Sequence, residues 1–277
     1  MRIVRSAQSM TAWSQALHRE GPAIGLVPTM GALHDGHRAL IRAARLSCDA
    51  VVVSLFVNPL QFGRGEDLSR YPRQFRSEGA DVLFAPTRKE MYPPGFQTSV
   101  IVQQLSRRWE GEHRPSHFEG VATVVTKLLS LIRPDKAFFG QKDFQQAALV
   151  RRLVKDLNLG AEVVILPTVR EPDGLAKSSR NVYLTAKQRR AAPVLFAALQ
   201  AGEAAIKSGM TSAARVQRVM QDRIATEPLA RVDYLAVCDS ETLAPLPRIA
   251  GKTVLLGAIR IGRVRLIDNL LVRAPRS

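Results

Sequence analysis

The chain is short of cysteine, histidine and aromatics, and it has no long apolar run. Cys48 and Cys238 are the only thiols among 277 residues. Two isolated thiols exclude a disulfide framework and point to a reducing compartment. No stretch approaches the roughly 20 apolar residues needed to cross a bilayer as a helix, so no membrane partner is expected. The opening MRIVRSAQSMTAWSQALHRE lacks an apolar core followed by a small-residue cleavage site, so no secretory signal is read there. Together these absences predict a cytoplasmic protein. Acidic residues are scarce as well, 24 against 40 Lys/Arg, for a net charge of +16. Residues 169–277 hold 18 basic and 9 acidic residues, and residues 1–168 hold 22 and 15. Such a field draws in phosphate-rich ligands. Yet no Lys/Arg run exceeds two, so a basic solvated surface accounts for it and no nucleic-acid partner is expected.

What is present reads as two domains. Ile24–Val27 is the first strand candidate, and Ala50–Val57 (AVVVSLFV) is a continuous β-branched run of the kind buried on both faces. Asp81–Ala85, Lys136–Phe139 and Glu162–Leu166 are further strand candidates. Between them, His37–Ser47, Gly120–Ile132 and Asp143–Leu157 place apolar residues at helical spacing. Alternating strands and helices predict a Rossmann-like, doubly wound parallel α/β sheet over residues 1–168. Ligands of such sheets sit at the carboxyl ends of the strands. After Thr168 the pattern changes. Thr185–Ser208 and Ser212–Thr226 read as two helices, and Val232–Cys238, Thr253–Ile261 and Val264–Val272 as strands. Gly262 marks a tight hairpin between the last two. Residues 169–277 are therefore expected to form a smaller α+β domain with an antiparallel sheet, joined through an exposed linker at Arg170–Ser179 (REPDGLAKSS).

Two of the five histidines, His34 and His37, lie in PTMGALHDGH, residues 28–37, directly after the first strand candidate. A metal reading needs a third ligand, and no His or Cys nearby completes a familiar zinc spacing. A strand, a turn containing Gly31 and a helix starting near Gly36 instead suit a phosphate cradle. Free backbone N–H groups and the positive helix end would meet an anion, and Gly36 would let a ligand approach the backbone. Three other segments have chemistry of the same kind, each with a plainer alternative. In FGQKDFQQ (139–146), Lys142 offers a point charge and Asp143 a partner for ribose hydroxyls, or the two form a solvated pair at a helix start. Gln61 in NPLQFG can hold a hydroxy acid without a charge penalty, or bond nearby backbone. Lys177-Ser178-Ser179-Arg180-Asn181 can wrap a triphosphate, or cap a helix.

H-x-G-H after a parallel strand resembles the nucleotidyltransferase superfamily, which includes class I aminoacyl-tRNA synthetases. The longer string PTMGALHDGH resembles the pantoate–β-alanine ligase family. FVNPLQFGRGEDLSRYPR (56–73), RPSHFEGVATVVTKL (114–128), FGQKDFQQ (139–146) and DGLAKSSRNVYL (173–184) occur in that family's order and spacing. The resemblance implies ATP-dependent condensation of pantoate with β-alanine through a pantoyl-adenylate, releasing pyrophosphate and AMP. It implies ATP contacts from Met30, Gly31, Ala32, Leu33, His34, Asp35, Gly36 and His37, from Gly140, Gln141, Lys142 and Asp143, and from Lys177, Ser178, Ser179 and Arg180. Val169 would meet adenine through its backbone. Gln61 and Gln146 would hold pantoate, and Gln61 also β-alanine. His34, His37, Lys142 and Arg180 would be the catalytic group, with His37 a proton donor whose larger role is electrostatic. Tyr71, in the same segment as Gln61, would line the site or simply pack. Magnesium would be held mainly by the ATP phosphates, the second domain would close over ATP, and the chain would be a homodimer. Two features depart from the family pattern. Lys177 stands where methionine is usual, an extra cation expected to tighten ATP binding, and residues 74–80 shorten a connection in which Glu78 remains. Another adenylyltransferase would share H-x-G-H but lack NPLQFG. A truncated tRNA synthetase would lack room for tRNA, and a basic RNA-binding protein would not need these segments.

Overall fold

The computed structural model describes residues 1–31, 33–61 and 79–273. The expectations placed on Ala32, Tyr71 and Glu78, and on most of the shortened connection, lie outside the described residues. The chain forms two compact units, Met1–Gly140 with Gln145–Pro167, and Gln141–Phe144 with Thr168–Ser277. A single cut after residue 168 does not describe this division, because the short Gln141–Phe144 turn groups with the second unit.

The first unit is built on a six-stranded parallel sheet in the order β1-β4-β3-β2-β5-β6. Its strands are β1 (Arg2–Val4), β2 (Ile24–Thr29), β3 (Ala50–Leu55), β4 (Val82–Phe84), β5 (Lys136–Gly140) and β6 (Glu162–Leu166). β3 is the β-branched run, buried over its first five residues, as a central parallel strand covered on both faces should be. Helices α1 (Ala7–Glu20), α2 (Asp35–Ser47), the one-turn α3 (Arg88–Met91) and α4 (Glu110–His113), α5 (His117–Ile132) and α6 (Phe144–Asp156) connect the strands. α2 packs Leu40, Ile41 and Ala44 against Val27, Val51, Val53 and Phe138. The sheet starts earlier than the sequence reading has it. β1 pairs in parallel with β4, so Ile24–Thr29 is the second strand. β2 and β5 are neighbours although the chain leaves them in opposite directions across the sheet, β2 toward β3 and β5 toward β6. That reversal is the switch point at which doubly wound sheets bind ligands. The chain leaves β2 into PTMGALHDGH and β5 into FGQKD.

The second unit is a three-stranded antiparallel sheet, β7 (Ala230–Asp239), β8 (Lys252–Ile261) and β9 (Val264–Arg273), with β8 central. Ile261 pairs with Val264 around Gly262 and Arg263, the tight hairpin expected there. Helices α8 (Val194–Lys207) and α9 (Ala213–Ala225) share a core with it through Leu195, Leu199, Val216, Met220, Leu255 and Ile259. The single helix read over Thr185–Ser208 is two, α7 (Ala186–Ala191) and α8, with Pro193 at the break. Proline has no N–H to continue the ladder. The expected exposed linker at 170–179 is also corrected. Arg170 bridges to Ala176, Leu175 and Ala176 are buried, and Leu175 joins the core, so the segment is a folded loop.

Candidate active site

His34 and His37 of the first unit form one object. β2 runs on through Pro28 to Thr29, Gly31 takes a left-handed φ of 98°, and His34 becomes the N-cap of α2. The His34 Nδ1 accepts from the Gly36 N–H at 3.1 Å, and the His34 N–H donates to the His37 Nδ1 at 3.4 Å. This is a capping box in which imidazoles replace the usual hydroxyl and carboxamide. The rings lie 4.2 Å apart. Because both Nδ1 atoms accept, the proton of each neutral ring sits on Nε2, which makes Nε2 the donor atom. Two expectations change. The Gly36 N–H is capped rather than free. The space beside Gly36 is filled by the His34 ring, since a Cβ there would stand 2.8 Å from its Cε1. Glycine at 36 serves the cap. Asp35 lies 3.6 Å from Arg38 on the outer face of α2. Among the described residues no three His, Cys, Asp or Glu side chains converge to hold a metal.

A second cluster of this unit centres on Gln61, in the single turn Pro59–Gln61 after β3. The Asn58 Nδ2 donates to the Gln61 Oε1 and to the Gly120 carbonyl, each at 2.9 Å. Asn58 Oδ1 accepts from the Tyr92 hydroxyl at 2.9 Å and from the Leu60 N–H at 3.3 Å. With Oε1 taken, Gln61 offers its amide N–H groups to a ligand's oxygen. The Gln61 carbonyl accepts from the His117 Nδ1 at 3.0 Å and from Arg114 at 3.3 Å. A carbonyl only accepts, so His117 carries its proton on Nδ1. Its Nε2 then accepts from the Arg114 guanidinium, 3.2 Å away, and the ring is neutral. Burial pushes the Tyr92 hydroxyl well above its ordinary range, so it remains a donor. Gly120 is required by contact. A Cβ would stand 2.4 Å from the Leu60 carbonyl oxygen, so only glycine lets the Gln61 turn lie on α5. Sequence reasoning missed Asn58, Tyr92 and His117. An Asn directly after a buried strand was the one available signal. Of the two glutamines in FQQ, Gln145 is buried and bonds the Glu110 N–H and the carbonyls of Leu105 and Arg108. Gln146 beside it is half-buried.

In the second unit, Lys142 Nζ stands 3.4 Å from Asp143. Lys142, Ser178, Arg180, Arg265 and Asp268 line a cavity of about 20 Å³, room for about one water. Ser178 caps the turn Ser179–Tyr183 by accepting from the Arg180 N–H at 3.3 Å, so the plainer cap chemistry is present in this loop. Arg180 is exposed. Lys177 stands 3.7 Å from Glu171 and is partly neutralised there. Its N–H donates to the Val169 carbonyl at 2.9 Å. Arg170 anchors the loop with a bidentate pair to the buried Asp268 at 2.6 and 2.9 Å, a bond to the Gly174 carbonyl and a stack on Phe196. Arg189 donates to Asp173 and holds that carboxyl below its usual range.

A wider groove of about 790 Å³, lined by His18, Arg19, Arg133 and Asn158, lies at the amino ends of β5 and β6. It contains no motif residue. These features define a class, an α/β nucleotide-binding enzyme with its motif-bearing turns at the carboxyl ends of a doubly wound sheet. The family model for pantoate–β-alanine ligase matches residues 2–271. The chain is 51% identical to the pantothenate synthetase of Heliobacterium modesticaldum, over 98% of this chain and 99% of that protein. It is similar to the crystal structure of pantothenate synthetase from Thermus thermophilus, with 48% identity, a TM-score of 0.90, and coverage of 98% and 99% of the two chains. The structure of pantoate–β-alanine ligase from Francisella tularensis, complexed with β,γ-ATP and β-alanine, matches at 33% identity and a TM-score of 0.78, over 98% and 97%. The chain belongs to the pantoate–β-alanine ligase family, and is a ligase that forms pantothenate in an ATP-dependent reaction.

Proposed function

We propose that this chain activates pantoate as pantoyl-adenylate and then transfers the pantoyl group to β-alanine. The observation that carries the reading is the imidazole capping box at the end of β2, with both Nε2 atoms set as donors. Joining a carboxylate to an amine in water needs the acid activated first. The pantoate carboxylate attacks the α-phosphorus of ATP and pyrophosphate leaves. The β-alanine amine then attacks the acyl carbon, AMP leaves, and the amine proton is lost.

Such a reaction is served by positioning and charge neutralisation. His34, His37, Lys142 and Arg180 are the catalytic group in this reading. With them, Met30–His37, Gly140–Asp143 and Lys177–Arg180 contact ATP, and the Val169 backbone meets adenine. Gln61 and Gln146 hold pantoate, and Gln61 also β-alanine. The Asn58–Tyr92–Gln61 bonds support that assignment, because they leave the Gln61 amide as a neutral donor suited to a hydroxy acid. Magnesium would add charge neutralisation on the phosphates. Among the described residues no three His, Cys, Asp or Glu side chains converge on a site for it, and in this reading the ATP phosphates are its main ligands. The closing of the second unit over ATP and the homodimer rest on family resemblance, and the cytoplasmic location on the two isolated thiols. No helix among the described residues is long and apolar enough to cross a membrane.

Assaying pyrophosphate and AMP release with pantoate and ATP, with and without β-alanine, tests the reading. Pyrophosphate should need only pantoate and ATP, while steady AMP release should also need β-alanine. No turnover with pantoate, or AMP release only with tRNA, would overturn it.

A further inference from the structure

The turn that carries Lys142 is held by a residue 127 positions later. Asn269 on the edge strand β9 is 1% exposed. Its Nδ2 donates to the Gln141 carbonyl at 2.8 Å and to the Lys142 carbonyl at 3.0 Å, and its Oδ1 accepts from the Gln141 side chain at 3.1 Å. These bonds explain why Gln141–Phe144 groups with the second unit while Gly140 and Gln145, on either side, group with the first. A buried carboxamide is costly unless it is bonded. Here both its donors and its acceptor are spent on one three-residue turn.

The neighbouring residue does the same for the other cationic segment. Asp268 pairs opposite Gly257, and a Cβ on Gly257 would strike Leu195 of α8. Asp268 therefore faces the helix layer, where it holds Arg170 and with it the loop that leads into Lys177–Arg180. Side chains alternate along a strand, so Asn269 points to the opposite face, toward the Lys142 turn. One dipeptide thus anchors both the Lys142 turn and, through Arg170, the loop leading into Lys177–Arg180, with the small cavity lined by Lys142, Ser178 and Arg180 beside it.

We propose that Asn269 is a positioning residue for Lys142, setting its ammonium for the phosphates during adenylate formation. The proposal rests on the reading above in which Lys142 meets ATP. Displacing a catalytic group by about 1 Å can cost on the order of 100-fold in rate. The three Asn269 bonds are what tie the Lys142 turn to β9.

The test is a double-mutant cycle on pantoate-dependent exchange of labelled pyrophosphate into ATP, using Asn269→Ala, Lys142→Ala and the double variant. Asn269→Ala should lower the exchange rate by about tenfold or more. It should have no further effect once Lys142 is alanine, because Asn269 acts through that side chain. The fall in melting temperature caused by Asn269→Ala should be the same in both backgrounds, since fold support does not depend on the ammonium. Losses in exchange that multiply in the double variant would overturn the proposal, as would Asn269→Ala with a normal rate. Lys142→Ala with normal exchange would overturn both this proposal and the Lys142 assignment. A damaged Lys142→Ala beside an intact Asn269→Ala sinks the positioning role alone. If Asn269→Ala does not fold, Asn269→Ser keeps a hydroxyl donor in the pocket and enters the same cycle with the same outcomes.

Discussion

The Gln61 cluster of the first unit and the Lys177–Arg180 loop of the second are held by opposite means. In the first, Gln61 is fixed by carboxamide, phenol and carbonyl groups and by a neutral imidazole, and the histidines cap a helix with neutral rings. Among the described residues Arg114 is the one charged member of that network whose bond is seen. In the second, the loop that carries Lys177 and Arg180 is held by ion pairs, Arg170 to Asp268, Arg189 to Asp173 and Lys177 to Glu171, while the Lys142 turn hangs on the neutral Asn269 carboxamide. The division follows the ligands assigned to each. A hydroxy acid is recognised by where donors and acceptors point, which a buried neutral network fixes without the cost of burying charge. A triphosphate is recognised by charge, and cations crowded together need carboxylates to hold them apart before it arrives.

Breaking the charged side at its buried anchor should have the largest effect. Arg170→Met leaves the Asp268 carboxylate, with 4% of its side chain exposed, without its partner. Loss of one member of a buried pair costs about 3–5 kcal/mol. Thermal melts should show that loss, and hydrogen exchange should speed up in residues 170–180. A change under about 1 kcal/mol would mean that Asp268 is solvated and the anchor is not buried in solution. The corresponding break on the neutral side is Gly120→Ala. It should cost about 1–3 kcal/mol by overpacking and raise the KM for pantoate, with that for ATP unchanged. Equal shifts in both constants would erase the division of labour.

Acid should separate the two sides further. Arg189, through its hydrogen bond, depresses the Asp173 carboxyl below its ordinary value. A carboxyl lowered in the folded state contributes stability above its unfolded pKa, near about 3.9, and loses it as pH falls through the lower folded value. Local exchange in residues 171–180 should therefore rise below about pH 4, and Asp173→Asn should abolish that pH dependence. Tyr92, raised by burial, keeps its proton throughout, so residues 58–61 should show no such step. The smallest effect belongs to Lys177→Met. Its side chain is already shared with Glu171, so the KM for ATP should rise by less than about fivefold at low salt and converge with the parent at high salt. An unchanged KM at low salt would remove Lys177 from the phosphates.

The parallel sheet was legible where the chain is monotonous. The unbroken β-branched run of β3 and the apolar face of α2 admit few other arrangements. α1 goes unread in the sequence, although Met10, Trp13 and Leu17 stand at helical spacing, because AQSMTAWSQALHRE is largely polar and buries only Met10 and Ser14 fully. Its borders were written plainly, with Ser6 capping one end and Gly21 the other. At the site, the chemical types of His34, Gln61 and Lys142 were visible in local motifs. Their supports were not, because Asn58 depends on Tyr92 34 residues away and Lys142 on Asn269 127 residues away. Nothing local in VRLIDNLLVR distinguishes an asparagine that clasps a remote turn from one exposed on an edge strand.

The ring of His34 beside Gly36 has a consequence for how this enzyme is dissected. His34→Ala would delete an imidazole donor and the start of α2 in one stroke, and a lost cap alone costs about 1 kcal/mol. Its kinetics would confuse architecture with chemistry. Asparagine caps helices well and offers an amide oxygen to the same Gly36 N–H. His34→Asn therefore separates the two duties, and whatever activity it loses relative to its melting temperature is the share that belongs to the imidazole.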